Sequence, residues 1–520
     1  MPHRIILCLV GILVVGCGPG ICGTGICVGG PDNQPPTLSI RTLHTANENI
    51  TTRRVTLTWS AATDDFTDED ELEYAAYIST SETVSNFESA DTQANRILSF
   101  TKGTFQTTAT GLTPGNLYYL NVFVRDSEGA ISSYSSIAVT TDSFAGGDGS
   151  LGSRYQIATL ANLNSVREEL DAHYVLIDDI DASSTSDWNE SQGFAPIGML
   201  TAPFTGSIEG NYFAVSGLRI NRPSEDYVGV IGYCTSTNSV RELKMLGARV
   251  IGNNYVGMLA GYAAGTSVTR TILLGEVTGS GDYVGGALGS AGAGTTITDV
   301  LSGVIVSGRA YVGGLAGASA ASITYSGTDA DVSSSIVQGS NAFTGGLVGD
   351  NSGNIKYCYS KSNVSALGSY VGGFAGRING AAATVSFSVA TGNVQGATSI
   401  GGFAGSVTGS SSVSSSLAEG HVLATGTTSI GGFVGQAASA TVQANLASGV
   451  VTATSAIAGE AGTFAGKIGL GSTAVGNMGR DRSSLNSIFC LLFPRVLEAR
   501  IDVTGKANPV SYTHLRAHET

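Results

Sequence analysis

Between Tyr227 and Gly466 apolar, aromatic and glycine positions return at a fixed spacing. Alignment on Y-V-G-G-x-x-G gives nine copies, beginning at Tyr227, Tyr255, Tyr283, Tyr311, Phe343, Tyr370, Ser399, Ser429 and Glu460. The intervals are 28, 28, 28, 32, 27, 29, 30 and 31 residues. A second element lies between copies, as in Val385–Val394 (VSFSVATGNV) and Val413–Val422 (VSSSLAEGHV). One copy cannot bury its apolar face alone. Stacked copies bury a continuous core and pair each backbone with the next. The pattern predicts a β-solenoid, with nine coils about 4.8 Å apart forming a rod on the order of 43 Å long. The first-position aromatics Tyr227, Tyr255, Tyr283, Tyr311, Phe343 and Tyr370 should form a ladder. Its periodicity favours structural stacking over ligand binding. The third-position glycines Gly285, Gly313 and Gly372 are expected at bends or in left-handed backbone that a Cβ would disfavour.

Upstream the period changes. From 36 to 141, Val55, Leu57 and Trp59 alternate with polar residues, as do Tyr118, Leu120, Val122 and Val124, which predicts half-buried strands. Residues 154–226 read as a cap: a strand at Tyr155–Ile157, a helix over about 159–172 with Leu160, Leu163, Val166 and Leu170 on one face, and a strand from Tyr174. Such a cap would cover otherwise unpaired strand edges. Residues 18–35 read as a flexible tether, 142–153 as a linker, 227–475 as the solenoid and 476–520 as a non-repeat tail.

Composition sharpens this in two ways. Charged residues make up 13% of the chain and glycine supplies 72 of 520 positions, which fits short strands and tight turns rather than a helical bundle. A formal net charge of −14 repels phosphate backbones, so nucleic acid is not an expected partner.

The first 17 residues combine a basic start, an apolar run from Ile5 to Val15 and the sequence Val14-Val15-Gly16-Cys17. This resembles the lipobox of bacterial lipoproteins, which implies cleavage before Cys17 and a lipid on its thiol. Three acyl chains would anchor it stably, at about 0.8 kcal/mol per buried CH₂. Gly18 after the anchor leans toward the outer membrane. Cys22 and Cys27 could pair or remain free.

Leu112, Pro114 and Tyr118, in the order L-x-P-G-x-x-Y, together with Trp59 on an early strand, resemble a fibronectin type III domain over 36–141. That implies a β-sandwich with Trp59 in its core and a corner tyrosine at Tyr118. The nine copies resemble the GLUG motif of adhesin-like bacterial surface proteins, and 154–226 is similar to the segment that often introduces such arrays. The expected fold is therefore all-β: a fibronectin type III-like β-sandwich, then a right-handed β-solenoid (β-helix) with a small helix-containing N-terminal cap. The final stretch, PVSYTHLRAHET, resembles adapter-derived translation and carries no functional weight.

Chemistry is sparse. Residues 255–475 hold 14 charged side chains, with Asp329 and Asp331 the sole close acidic pair, read as a solvated turn. The run Asp64–Glu71 lacks the spacing of a calcium loop and reads as a solvated loop. No metal, cofactor or catalytic site is expected. The resulting expectation is a non-enzymatic, lipid-anchored outer-membrane protein, exposed at the cell surface, whose solenoid meets glycans or surface proteins of other cells. The alternative is a carbohydrate-binding or polysaccharide-degrading β-helix protein.

Overall fold

The computed structural model describes residues 34–235, 239–335, 342–381, 383–453 and 461–479. Cys17, Cys22, Cys27, Glu460, most of the tether and nearly all of the tail lie outside them. The chain divides into two compact units, one of 34–45, 56–109 and 117–139, the other of 46–55, 110–116 and the residues from 140 onward.

The first unit carries an antiparallel sheet in the order Asn95–Lys102, Glu73–Ser79, Leu117–Arg125, Ile131–Ser133, and a two-stranded sheet of Val55–Thr58 with Gln106–Ala109. Trp59 is 5% exposed and lies 6.1 Å from the Tyr74 ring, although its Nε1 has no hydrogen-bond partner. Tyr118 is buried; Leu112, buried, and Pro114, exposed on its turn, fall in the second unit. One element departs from the expected all-strand pattern. A helix, Phe87–Gln93, is capped by Asn86 Oδ1 accepting from the Ser89 N–H at 3.0 Å. It packs Phe87 and Ala90 against Tyr77 and Phe123. In the acidic run, Asp64 accepts from the Phe66 and Thr67 N–H groups and Glu71 pairs with Lys102, so two of its acids are committed within the unit.

The second unit is a β-solenoid of about nine turns. One strand from each copy joins a nine-stranded parallel sheet, in register through Ile231, Ala260, Leu288, Ala316, Val348, Ala375, Ala404, Val434 and Ala465. The remaining strands of each coil belong to one long parallel sheet. Its interior is built of rows. Tyr174, Ile208, Val240, Val268, Ile297, Ile323, Ile355, Val385, Val413 and Val442 stand in one register line. Each buried Val or Ile contributes about 1.5–3 kcal/mol relative to exposure, and β-branched side chains suit the pleated surface.

That row begins inside the cap. Strands Tyr155–Ile157, His173–Leu176 and Ser207–Glu209 pair in parallel with one another and then with the array. Residues 154–226 therefore extend the core as partial coils. The helix there is shorter than its apolar pattern suggests. It is α-helical over Leu160–Ser165 and 3₁₀ over Val166–Glu168, with Leu163 and Val166 buried and Leu160 and Leu170 partly so.

Candidate functional site

Most coils turn two corners on non-glycine residues in left-handed backbone, the first-corner residues Phe343 and Tyr370 being exceptions. At the first corner, Tyr227, Tyr255, Tyr283, Tyr311, Ser399 and Ser429 have φ between 46° and 63°. At the second, Glu242, Arg270, Asp299, Tyr325, Tyr357, Phe387, Ser415 and Ala444 have φ between 50° and 58°. Bends or left-handed backbone were expected at the third-position glycines, and the left-handed alternative is corrected here. Gly285, Gly313 and Gly372 do not have positive φ. They are glycine because a Cβ there would strike main chain: beyond its own coil, that of Gly313 would sit 2.7 Å from the Gly349 nitrogen of the next. The requirement is close approach between coils.

Left-handed backbone costs an L-residue about 1–2 kcal/mol. Ring stacking offsets it at the four first corners that carry tyrosine. Tyr227, Tyr255, Tyr283 and Tyr311 stack with centroids 4.7, 4.6 and 4.6 Å apart, and such pairs contribute about 0.5–1.5 kcal/mol each beyond area burial. Phe343 and Tyr370 continue the row at 5.1 Å spacings. Tyr233 and Tyr262, on the adjoining strands, stack at 4.7 Å and meet this row edge-on. Burial, and then neighbouring phenols, hold the Tyr227, Tyr233 and Tyr255 hydroxyls above the ordinary tyrosine value; burial and Tyr311 do the same at Tyr283.

The row stops at Tyr370. Ser399 follows it in register, since Val371 pairs with Ile400. The aromatic is not lost from the later copies but moves four residues on and turns inward: Phe374, Phe403, Phe433 and Phe464 stack at 4.5, 4.7 and 5.1 Å inside the solenoid. Beside the end of the row lies a shallow hollow of about 180 Å³, lined by Phe343, Tyr370, Arg377, Ser406, Thr408 and Gln436. Arg377 is clamped there. Its Nε and Nη2 donate to the two Asp350 carboxylate oxygens at 2.8 and 2.6 Å, and its Cζ lies 3.9 Å from the Phe343 ring centre. The bond to Asp350 raises its already high pKa, so it is a permanent cation beside a carboxylate.

Two features escaped the sequence reading. The second corner carries its own stack, Tyr325, Tyr357 and Phe387 at 5.2 and 5.3 Å, with the Lys356 ammonium 4.7 and 5.5 Å from the last two rings. Its signal was the same period, carried by only three aromatics. Just inside that corner runs a buried polar ladder. Ser326, Ser388 and Ser416 Oγ and Asn445 Oδ1 accept from the N–H of Val300, Cys358, Ser388 and Ser416, one coil earlier each time. Cys358 occupies the same ladder, and burial pushes its thiol up to about 12; Cys234 is likewise buried and raised to about 11.

Charge is distributed rather than gathered. Arg241, Arg249, Arg270, Arg309 and Arg377 pair with Glu209, Glu276, Glu242, Asp282 and Asp350 of adjacent coils. Asp329 and Asp331 sit on the turn between strands Gly327–Thr328 and Val332–Ser334 rather than on one strand. Asp329 lies 3.9 Å from Lys361, and Asp331 accepts from Asn363. Burial raises Asp299, with Arg270 pulling the other way. Among the described residues no group of three or more His, Cys, Asp or Glu could hold a metal ion.

No family model matches the chain. It is 38% identical over 113 residues to halomucin of Haloquadratum walsbyi, and 37% identical over 106 residues to a protein named as a Gly-rich membrane protein of Evansella cellulosilytica. These matches cover 21% and 20% of this chain but only 1% and 12% of those proteins. Among solved structures, the family 28 exopolygalacturonase of Yersinia enterocolitica aligns over 85% of this chain and 99% of its own, at 10% identity and a TM-score of 0.21. Pectate lyase PelI of Erwinia chrysanthemi, solved with tetragalacturonic acid, aligns over 84% and 99%, at 11% identity and a TM-score of 0.15.

Proposed function

We propose that this chain is a bacterial surface lipoprotein whose solenoid presents a non-catalytic adhesive face. Cys17 carries the lipid, 36–141 is a spacer of fibronectin type III character, and the coils are GLUG-type repeats held at the outer membrane. The pairing of charges carries the reading. Every arginine from 241 to 377 is joined to an acid of a neighbouring coil. Hydrolysis or elimination on a polysaccharide needs carboxylates or bases gathered around one bond. Here the charges are spread as cross-coil ties, each exposed pair contributing about 0–1 kcal/mol. The word "membrane" in the name of one relative supports the location.

The test is made in cells expressing the whole chain. Radiolabelled palmitate should enter it, the label should vanish in Cys17→Ala, and protease added to intact cells should cut the solenoid. Label persisting in Cys17→Ala would remove the anchor from the proposal. Cleavage only after lysis would remove surface exposure, and release of reducing ends from a polysaccharide by purified protein would overturn the non-catalytic reading.

A further inference from the structure

We infer that the second corner of the solenoid carries a docking site for an arginine side chain of a partner protein: the guanidinium lies on the open face of Tyr325 and donates to the Asp299 carboxylate. The proposal rests on the solenoid being a binding surface and names the chemistry that surface takes.

The second-corner rings differ in exposure. Tyr357 has a ring against each face, Tyr325 on one side and Phe387 on the other, and is half-buried. Tyr325 is stacked only on the Tyr357 side and is 59% exposed. Its other face turns toward the preceding coil. Register puts Asp299 at that corner, because Thr298 pairs with Thr324. Asp299 and Tyr325 both have left-handed backbone, at φ 58° and 51°, so they leave adjacent coils in the same way. An aspartate is too short to cover a phenol ring. The stack therefore ends on a ring face beside a carboxylate.

Neither group is satisfied by the chain itself. Among the described residues the Asp299 carboxylate has no hydrogen-bond donor; burial raises it, and Arg270 opposes this only through its charge. Arg270 directs Nε and Nη2 to Glu242 at 2.9 and 2.5 Å. The Lys356 ammonium shows that this stack attracts cations, but it lies over the second and third rings. No cation of the described residues lies over Tyr325.

The molecule makes the proposed grip once within itself. Arg377 places its Cζ 3.9 Å from the Phe343 ring centre while Nε and Nη2 donate to the two Asp350 oxygens. A guanidinium is planar, so it can meet a ring with its face and a carboxylate with its edge. Tyr325 and Asp299 offer the same two groups and lack the guanidinium. A lysine ammonium is a point charge without that flat face. A neutral ligand would leave the half-buried carboxylate without a counter-charge, and an anion would be repelled by it. The formal net charge of −14 draws basic segments toward the chain.

Immobilised full-length protein is titrated at physiological ionic strength with capped tetra-arginine, tetralysine and tetracitrulline peptides. Tetra-arginine should bind at least fivefold more tightly than tetralysine, and tetracitrulline, flat but uncharged, should not bind. Asp299→Asn and Tyr325→Ala should each weaken tetra-arginine at least fivefold, and Tyr325→Phe should keep wild-type affinity. Asp299→Asn should melt no lower than the wild type, because asparagine suits left-handed backbone, so its loss of binding is read in a folded protein. Equal binding of tetralysine, affinity unchanged in Asp299→Asn and Tyr325→Ala, or no binding of tetra-arginine would each overturn the assignment. Attachment of protein-coated beads to cells, measured in parallel, separates the two readings. Attachment surviving in Asp299→Asn leaves the adhesive solenoid standing and overturns this corner as its contact.

Discussion

At the scale of single residues, the repeat is specified by glycines that have no room for a methyl group and by aromatics that accept an unfavourable backbone. The two make separable predictions. Gly313→Ala drives a Cβ into the Ala316 carbonyl and toward Gly349, and main chain cannot rotate aside. A loss of about 1–3 kcal/mol is expected in denaturant titration, against near-neutrality for Gly152→Ala, where nothing lies within 4 Å. At Tyr283, φ is 63° and both ring faces are stacked. Alanine there loses the stacking and keeps the strain, whereas glycine loses the stacking and relieves it. Tyr283→Gly should therefore be more stable than Tyr283→Ala by about 1 kcal/mol, the reverse of the order in an ordinary strand. Equal stabilities would mean that the corner stores no strain.

At the scale of elements, the ladders couple stability to pH. The Tyr227, Tyr233, Tyr255 and Tyr283 hydroxyls are raised, so the folded state favours their neutral form. Between the ordinary tyrosine value of about 10 and the raised folded value, the unfolded chain releases protons that the folded chain holds. Their contribution is complete below the ordinary value and is lost as pH rises from there through the raised folded value. Melting temperature should change little from these groups up to about pH 9 and fall above about pH 10, more steeply in the wild type than in Tyr255→Phe/Tyr283→Phe. Parallel slopes would show that the ladder does not carry the effect. Elements were also where the sequence was hardest to read. Nine copies of Y-V-G-G-x-x-G announce a solenoid because glycine contacts and apolar rows impose the same spacing on every coil. The partial coils of the cap share the inner row through Tyr174 and Ile208 but lack the glycine pair, and so read as a separate block. The Ser and Asn ladder went unread because polarity alone does not reveal that a hydroxyl caps the N–H of the preceding coil. The hollow beside Tyr370 was illegible for a related reason. Arg377, Ser406 and Gln436 are 29 and 30 residues apart, and only the parallel register makes them neighbours.

At the scale of the solenoid, all of these contacts join one coil to the next, and this has a mechanical consequence. Parallel-strand hydrogen bonds run from coil to coil, along the stacking direction. Tension applied along that direction loads the bonds of one interface at a time, so the array would peel coil by coil. Each 28-residue coil adds about 4.8 Å to the stack. Once peeled, it can pay out roughly 95 Å of extended chain. A tether built this way lengthens about twentyfold per coil under load and can rewind coil by coil against the remaining stack when the load falls.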